Sequence, residues 1–456
     1  MTAGRQRRVT LCAKTTVVSA IPVRPGKTHS LSALDHAMTR HFLHLVFYFR
    51  AAPALTKSRL MYSLSEVLSY YPAVTGRLHR QPVEDAGAGS GSEWSWVVKC
   101  TDAGLRFVEA RAHATLDEWL ASATDEEEME LAHSEPMGHD PSIWSSYCVQ
   151  LTEFDDGAVA IGLSSAHINA DLTSAILLVR AWSDAHRRAC IVFPPFLHAP
   201  ALEPRPNPNP RSALFSSKSA AAAAAAASTE PVATAKMSSA TFVFSDASVK
   251  CLLSDAGDAS PFDALAALFW TRIAAPELGA ADLTLGIDMR KRMHAPLPYA
   301  FYGNAFHFYS VHGVDLGAGL SRVAADLRRA GEGVREEDFW EAVEWLHERR
   351  PGRREAEPAF QVYGPELTCV EVDRDAFAYG TPFEDNDGSR PAHVTCRVDG
   401  VEGAGLVLVM PAAAEGAARQ VVVTLPDDVV AKLCRDASIA KYEPTVLFAS
   451  AGVKKG

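Results

Sequence analysis

At 456 residues the chain is too long for one ordinary hydrophobic core, and two domains of roughly 200 residues each are the prior. Its 48% hydrophobic and 22% charged residues are those of a globular enzyme, while a net charge of −11 without a long basic stripe argues against a nucleic-acid partner. No apolar run reaches the ~18 residues of a membrane span. The eight cysteines stand singly with no C-x-x-C pair, which fits reduced, mostly buried thiols in the cytoplasm rather than a disulfide framework or a zinc site. Arg5, Arg7 and Arg8 precede an apolar patch, but Lys14 interrupts it and no small-residue cleavage site follows, so a signal peptide is not expected.

In chain order, Thr15–Val23 is β-branched and predicts a strand ending at Pro22 and the Pro25-Gly26 turn. Ser32-Ala33-Leu34-Asp35 opens a helical pattern toward His41, and Leu43–Phe49 predicts a buried strand. Thr56–Tyr70 reads as an amphipathic helix with Leu60, Leu64, Val67 and Leu68 inward, stopped by Tyr71-Pro72. Ala86–Ser92 is a flexible hairpin loop, and Asp125–Glu130 reads as a solvated acidic helix face. His36, His41 and His44 have no cysteine or carboxylate constellation beside them, so no metal site is expected.

The clearest boundary is 194–236, where composition collapses to proline, alanine and serine around PRPNPNPR and the run Ala220–Ala227. It predicts a partly disordered crossover, its alanines lacking an apolar face to dock. The domain expectation is therefore 1–193, a linker 194–236, and 237–456. The second part restarts with strand Ala240–Phe244, helix Pro261–Ile273 and strand Leu283–Asp288. After a turn-rich Leu297–Asn304 come charged helices Leu320–Arg329 and Glu337–Glu348, then an antiparallel pair, Leu406–Met410 with Val421–Leu425. Strands and helices do not alternate strictly, so both halves read as mixed α+β rather than a Rossmann sheet.

The chain is organised around Ala158–Arg187. Val159–Ala166 reads as a buried strand, and from Leu172 apolar residues recur at helical spacing. Between them lies His167-Ile168-Asn169-Ala170-Asp171, with Asp171 placed to start the helix. A histidine there is either a rigidly held general base or a core histidine satisfied by a backbone carbonyl, and the stretch alone leaves both open. No Walker or G-x-G-x-x-G phosphate cradle occurs, and Gly162-Leu163-Ser164-Ser165-Ala166 lacks the closing glycine of a nucleophile elbow.

Four elements in order carry a resemblance to one family: His-x-x-x-Asp in HINAD, the segment SPFDALAALFWTRI, Asp288-Met289-Arg290, and Phe301-Tyr302-Gly303-Asn304. They resemble the BAHD superfamily of plant CoA-dependent acyltransferases, over about Thr15 to Phe448. The stretch TTVVSAIPVRPGKTHSLSALDHAMTRHFLHLVFYFR is similar to its Eceriferum/Glossy branch, associated with very-long-chain acyl metabolism and cuticular wax. The family's second signature, Asp-Phe-Gly-Trp-Gly, corresponds here to Ala376-Phe377-Ala378-Tyr379-Gly380, so the aspartate, the first glycine and the tryptophan are changed.

The resemblance implies a two-domain chloramphenicol-acetyltransferase-like fold with a channel between the halves and His167 at its midpoint. His167 would be the base that takes the acceptor's proton, and Asp171 would turn away to pair with Arg290 as structural support. Phe377, Tyr379 and Gly380 would fix a loop near the CoA entrance. Acyl-CoA would be a substrate, with no tightly bound cofactor and no metal. One implied role is acyl transfer to a hydroxyl or amine acceptor. The other is a non-catalytic accessory that binds the condensing enzyme of the fatty-acid elongase, peripheral to the endoplasmic reticulum, and extends acyl chains. Tyr302, Gly303 and Asn304 read as a turn supporting the channel wall, with His307 and His312 as bystanders.

Overall fold

The structure is a computed structural model that describes residues 7–50, 53, 55–82, 94–197, 202–227, 235–274, 282–293, 297–349, 360–372, 381–384, 390–413 and 416–450. Mixed α and β structure is arranged around two large sheets. The first runs in the order Val9–Val17, Leu105–Ala112, Tyr147–Phe154, Val159–Ala166, Phe42–Phe49 and His393–Asp399. The second runs Phe306–Val311, Leu283–Asp288, Leu367–Glu371, Leu406–Pro411, Arg419–Pro426, Met237–Phe244 and Thr445–Leu447. Strand His393–Asp399 thus comes from late in the chain yet pairs antiparallel with Phe42–Phe49 and completes the first sheet.

Strand Val159–Ala166 is buried at every position, as a strand covered on both faces must be. Helix Leu172–His186 packs on one side with helix Lys57–Leu68 beside it. On the other side the backbone approaches so closely that a Cβ on Gly162 would lie 2.0 Å from the Leu131 carbonyl oxygen, so glycine is the residue that fits there. Ser164 sits mid-strand, 2% exposed, donating to the Ala132 carbonyl at 3.0 Å, which gives it a structural partner rather than the exposure of a nucleophile.

Three local expectations change. The first strand begins at Val9, not Thr15, because the ladder with Leu105–Ala112 runs from Val9 opposite Ala112 to Val17 opposite Leu105. The middle of that strand is exposed, so the hydrophobic pattern marked only its end. The acidic cluster is not a wholly solvated face. Asp125 and Glu128 are buried; Glu128 accepts from Tyr48 at 3.2 Å and from Thr395, and Asp125 accepts from the Ser239 backbone N–H at 3.0 Å.

The alanine run lies in helix Ala213–Ala227, and it is docked. Its anchor lies one turn upstream of the alanines, where Leu214, Phe215 and Lys218 are buried. The Phe215 ring meets Trp345 at 6.0 Å and Phe360 at 5.6 Å. The proline-rich stretch is tied down as well, with Arg205 donating to Glu344 at 2.7 Å and to Glu337 at 2.6 Å.

Candidate active site

His167 follows the last residue of strand Val159–Ala166 and is 1% exposed. Both ends of its peptide unit are held. Its N–H donates to the His41 carbonyl at 2.9 Å, and its own carbonyl accepts from Asn304 Nδ2 at 2.8 Å. Asn304 is fixed in turn by Asp35, whose Oδ1 accepts from the Asn304 N–H at 2.9 Å and from Nδ2 at 2.7 Å. The other Asp35 oxygen closes a capping box with Ser32 at the start of helix Ala33–Ala37.

Four residues on, Asp171 caps helix Leu172–His186 by accepting from the Ser174 N–H at 2.9 Å. Its carboxylate meets Arg290 in a two-pronged pair, Oδ2 with Nη1 at 2.9 Å and Oδ1 with Nη2 at 3.0 Å. Oδ2 also accepts from the Ala305 N–H at 2.9 Å. Arg290 further donates to Asp288 Oδ1 at 3.1 Å, Ser174 Oγ at 2.9 Å, the Phe301 carbonyl at 3.1 Å and the Gly303 carbonyl at 2.9 Å. Burial works against the guanidinium's charge, but Asp171 and Asp288 more than offset it and raise the Arg290 pKa. Burial raises Asp171 while Arg290 pulls it back, and with four donors on its two oxygens the carboxyl stays ionised. The pair joins the loop before one helix to the end of strand Leu283–Asp288.

The ring of His167 is held far more lightly. Nε2 lies 3.0 Å from the Tyr363 hydroxyl, and Nδ1 has no well-formed partner among the described residues, although the His167 and Ala170 carbonyls lie beside it. Burial pushes this imidazole down to about 4, with those carbonyls and Asn304 opposing. His41 sits edge-on at 6.3 Å between ring centroids, and burial with the neighbouring His167 pushes it down to about 3. Both rings are neutral near pH 7. The side chain of Asn169, 4% exposed, finds no partner for either amide atom among the described residues.

Phe377, Tyr379 and Gly380 lie outside the described residues, and Ala86–Ser92 does too. Tyr302 bonds its hydroxyl to that of Tyr147 at 2.7 Å. His36 joins the Ser32 carbonyl at 2.7 Å to Ser95 Oγ and the Trp96 N–H, each at 3.1 Å, and His44 bridges Ser164 at 2.8 Å to Asp399 at 3.0 Å, so both serve as cross-links. His307 stacks on Tyr309 at 6.1 Å, and His312 pairs with Asp282 at 2.8 Å. No group of three or more metal-ligating side chains occurs among the described residues. Sequence reasoning missed Tyr363, Asp35 and the bond from Asn304. Of these only Asp35 carried a signal, the Ser-x-x-Asp of a capping box.

Two such sheets, with a strand passed from the second half to the first and a buried histidine four residues before an arginine-bound aspartate, define a two-domain acyltransferase fold. The model of the Transferase family matches residues 7–439, so the chain belongs to that family, the BAHD acyltransferases. Protein ECERIFERUM 26-like of Arabidopsis thaliana is 27% identical over 421 residues, covering 92% of each chain. The crystal structure of vinorine synthase superposes with a TM-score of 0.69 at 19% identity, covering 95% of this chain and 98% of that one. TRI101 of F. graminearum, complexed with coenzyme A and deoxynivalenol, superposes with a TM-score of 0.67 at 14% identity over 92% of this chain and all of its own. Among the described residues no helix is long and apolar enough to cross a membrane.

Proposed function

We propose that the protein transfers an acyl group from a very-long-chain acyl-CoA to a hydroxyl or amine acceptor in cuticular-wax metabolism, with His167 as general base. The observation that carries this reading is a neutral imidazole at a strand end, its backbone held on both sides and its ring nitrogens left to small neutral partners. A neutral histidine accepts the acceptor's proton as the acceptor attacks the thioester carbonyl. CoA then leaves as thiolate and takes that proton back, with no covalent enzyme intermediate. General-base assistance of this kind is worth roughly 10²–10⁴-fold. Asp171 and Arg290 act on the fold around the base, and acyl-CoA is a substrate rather than a resident cofactor.

The second reading is a non-catalytic accessory that binds the elongase condensing enzyme at the endoplasmic reticulum and extends acyl chains. Two features favour it: the altered residues of the second signature, Ala376, Ala378 and Tyr379, beside the retained Phe377 and Gly380, and the hydroxyl already seated on Nε2 of His167. The test is His167→Ala in a cell that makes very-long-chain acyl groups, profiling chain lengths and esters, with circular dichroism on the purified variant. Loss of esters or lengthening in a folded variant supports the transferase. Lengthening that survives the substitution refutes it in favour of the accessory.

A further inference from the structure

We propose that Tyr363 is an internal stand-in for the acyl acceptor: its hydroxyl occupies the base nitrogen of His167 in the resting protein, and the acceptor must displace it before transfer. This rests on the reading of His167 as the base.

Tyr363 and His167 are 196 residues apart in sequence, yet the phenol lies 3.0 Å from Nε2, within ordinary hydrogen-bonding distance. The hydroxyl has the chemistry of an alcohol acceptor, neutral and able to donate one proton. Burial raises its pKa, so it stays a phenol rather than a phenolate. Among the described residues it makes no other hydrogen bond, so exchanging it for another hydroxyl gives up a single contact. With His167 only 1% exposed, an acceptor reaches Nε2 by taking that position.

The ring and its backbone are held by different means. The ring lies against His41 at 4.8 Å and Phe308 at 5.8 Å, edge-on in each case. The backbone carbonyl of Tyr363 accepts from the Glu402 N–H at 3.1 Å. One residue on, the Gly364 carbonyl accepts from Lys218, which also pairs with Glu366 at 2.6 Å. The crossover helix therefore fixes the segment from outside, while inside the hydroxyl is tethered by one bond.

Tyr363→Phe removes the hydroxyl and keeps the ring. With a long-chain acyl-CoA and a primary fatty alcohol, the variant is expected to lower the acceptor's KM about fivefold, the worth of one net hydrogen bond, while kcat and the KM for acyl-CoA hold. A fall in kcat at constant KM makes Tyr363 a relay and overturns the proposal, as does no change in either. Carbethoxylation of His167 by diethyl pyrocarbonate, followed by mass spectrometry, reports on the nitrogen without turnover. It should run several-fold faster in the variant, and an equal rate overturns the cap. If neither protein transfers an acyl group, the transferase reading fails and the acceptor role with it, whereas the carbethoxylation rates still separate a capped nitrogen from a free one.

Discussion

His167 and Asp171 stand on one short turn, four residues apart and both essentially buried, yet they are treated in opposite ways. The Asp171 oxygens receive four donors, and its partner Arg290 spends its guanidinium on two carboxylates, a hydroxyl and two carbonyls. The His167 ring has one well-formed bond, with only weaker contributions from the His167 and Ala170 carbonyls and Asn304, and the amide of Asn169 between the two residues has none among the described residues. Buried polar groups are normally satisfied, so saturation on one side and shortage on the other mark different tasks. The saturated end fixes the turn. The sparse end leaves hydrogen-bonding capacity unused, which is what the proposed base at His167 requires.

The saturated end should break hardest. Arg290→Met leaves Asp171 buried, and Asp288 partly buried, without their cation, and an expected loss of about 3–5 kcal/mol would be read by urea unfolding. Lysine at 290 should recover little, because a point charge cannot reproduce the fork.

Acid tests the comparison from the other side. His29, His41, His167, His307 and His393 are held by burial at about 4, 3, 4, 4 and 4, below the ordinary 6.5. From about pH 6.5 down to about pH 4 the unfolded chain binds protons that the folded chain refuses, so stability falls as pH falls. The slope is at most about 1.4 kcal/mol per pH unit per histidine. Asp35 and Glu128, raised by burial, work in the opposite sense. Denaturant titrations across that window should show a net decline, the five histidines outweighing these carboxyls, and stability that rises as pH falls would overturn it.

The smallest expected effect is at Asn169. With neither amide atom bonded among the described residues, Asn169→Ala removes an unsatisfied buried amide, and that gain should offset the lost packing to leave stability little changed. A loss above roughly 1 kcal/mol would place the amide inside the structural network and erase the contrast.

What could be read from the sequence was what is local. Strand Val159–Ala166, the cap at Asp171 and helix Leu172–His186 follow from periodicity and capping chemistry within thirty residues or so. Arg290 was found only because a family resemblance linked it to Asp171 across 119 residues. Tyr363 and the Asp35–Asn304 contact join segments 196 and 269 residues apart, and a tyrosine in QVYGPEL carries no pattern that names its target. The crossover misled through composition. Alanines have little to bury, but Leu214, Phe215 and Lys218 dock the helix for them.

Strand His393–Asp399 also sets a schedule for synthesis. Phe42–Phe49 can pair with Val159–Ala166 early, but its other edge waits for a partner that leaves the ribosome some 344 residues later, from Phe49 to His393. At about 5–20 residues per second that interval is roughly 20–70 s. Throughout it the nascent chain carries an open edge bearing Leu45, Phe47 and Phe49, all fully buried in the finished protein. Such an edge is a template for pairing with other chains. Yield in a heterologous host should therefore depend on chaperone supply during translation more than on the stability of the completed fold.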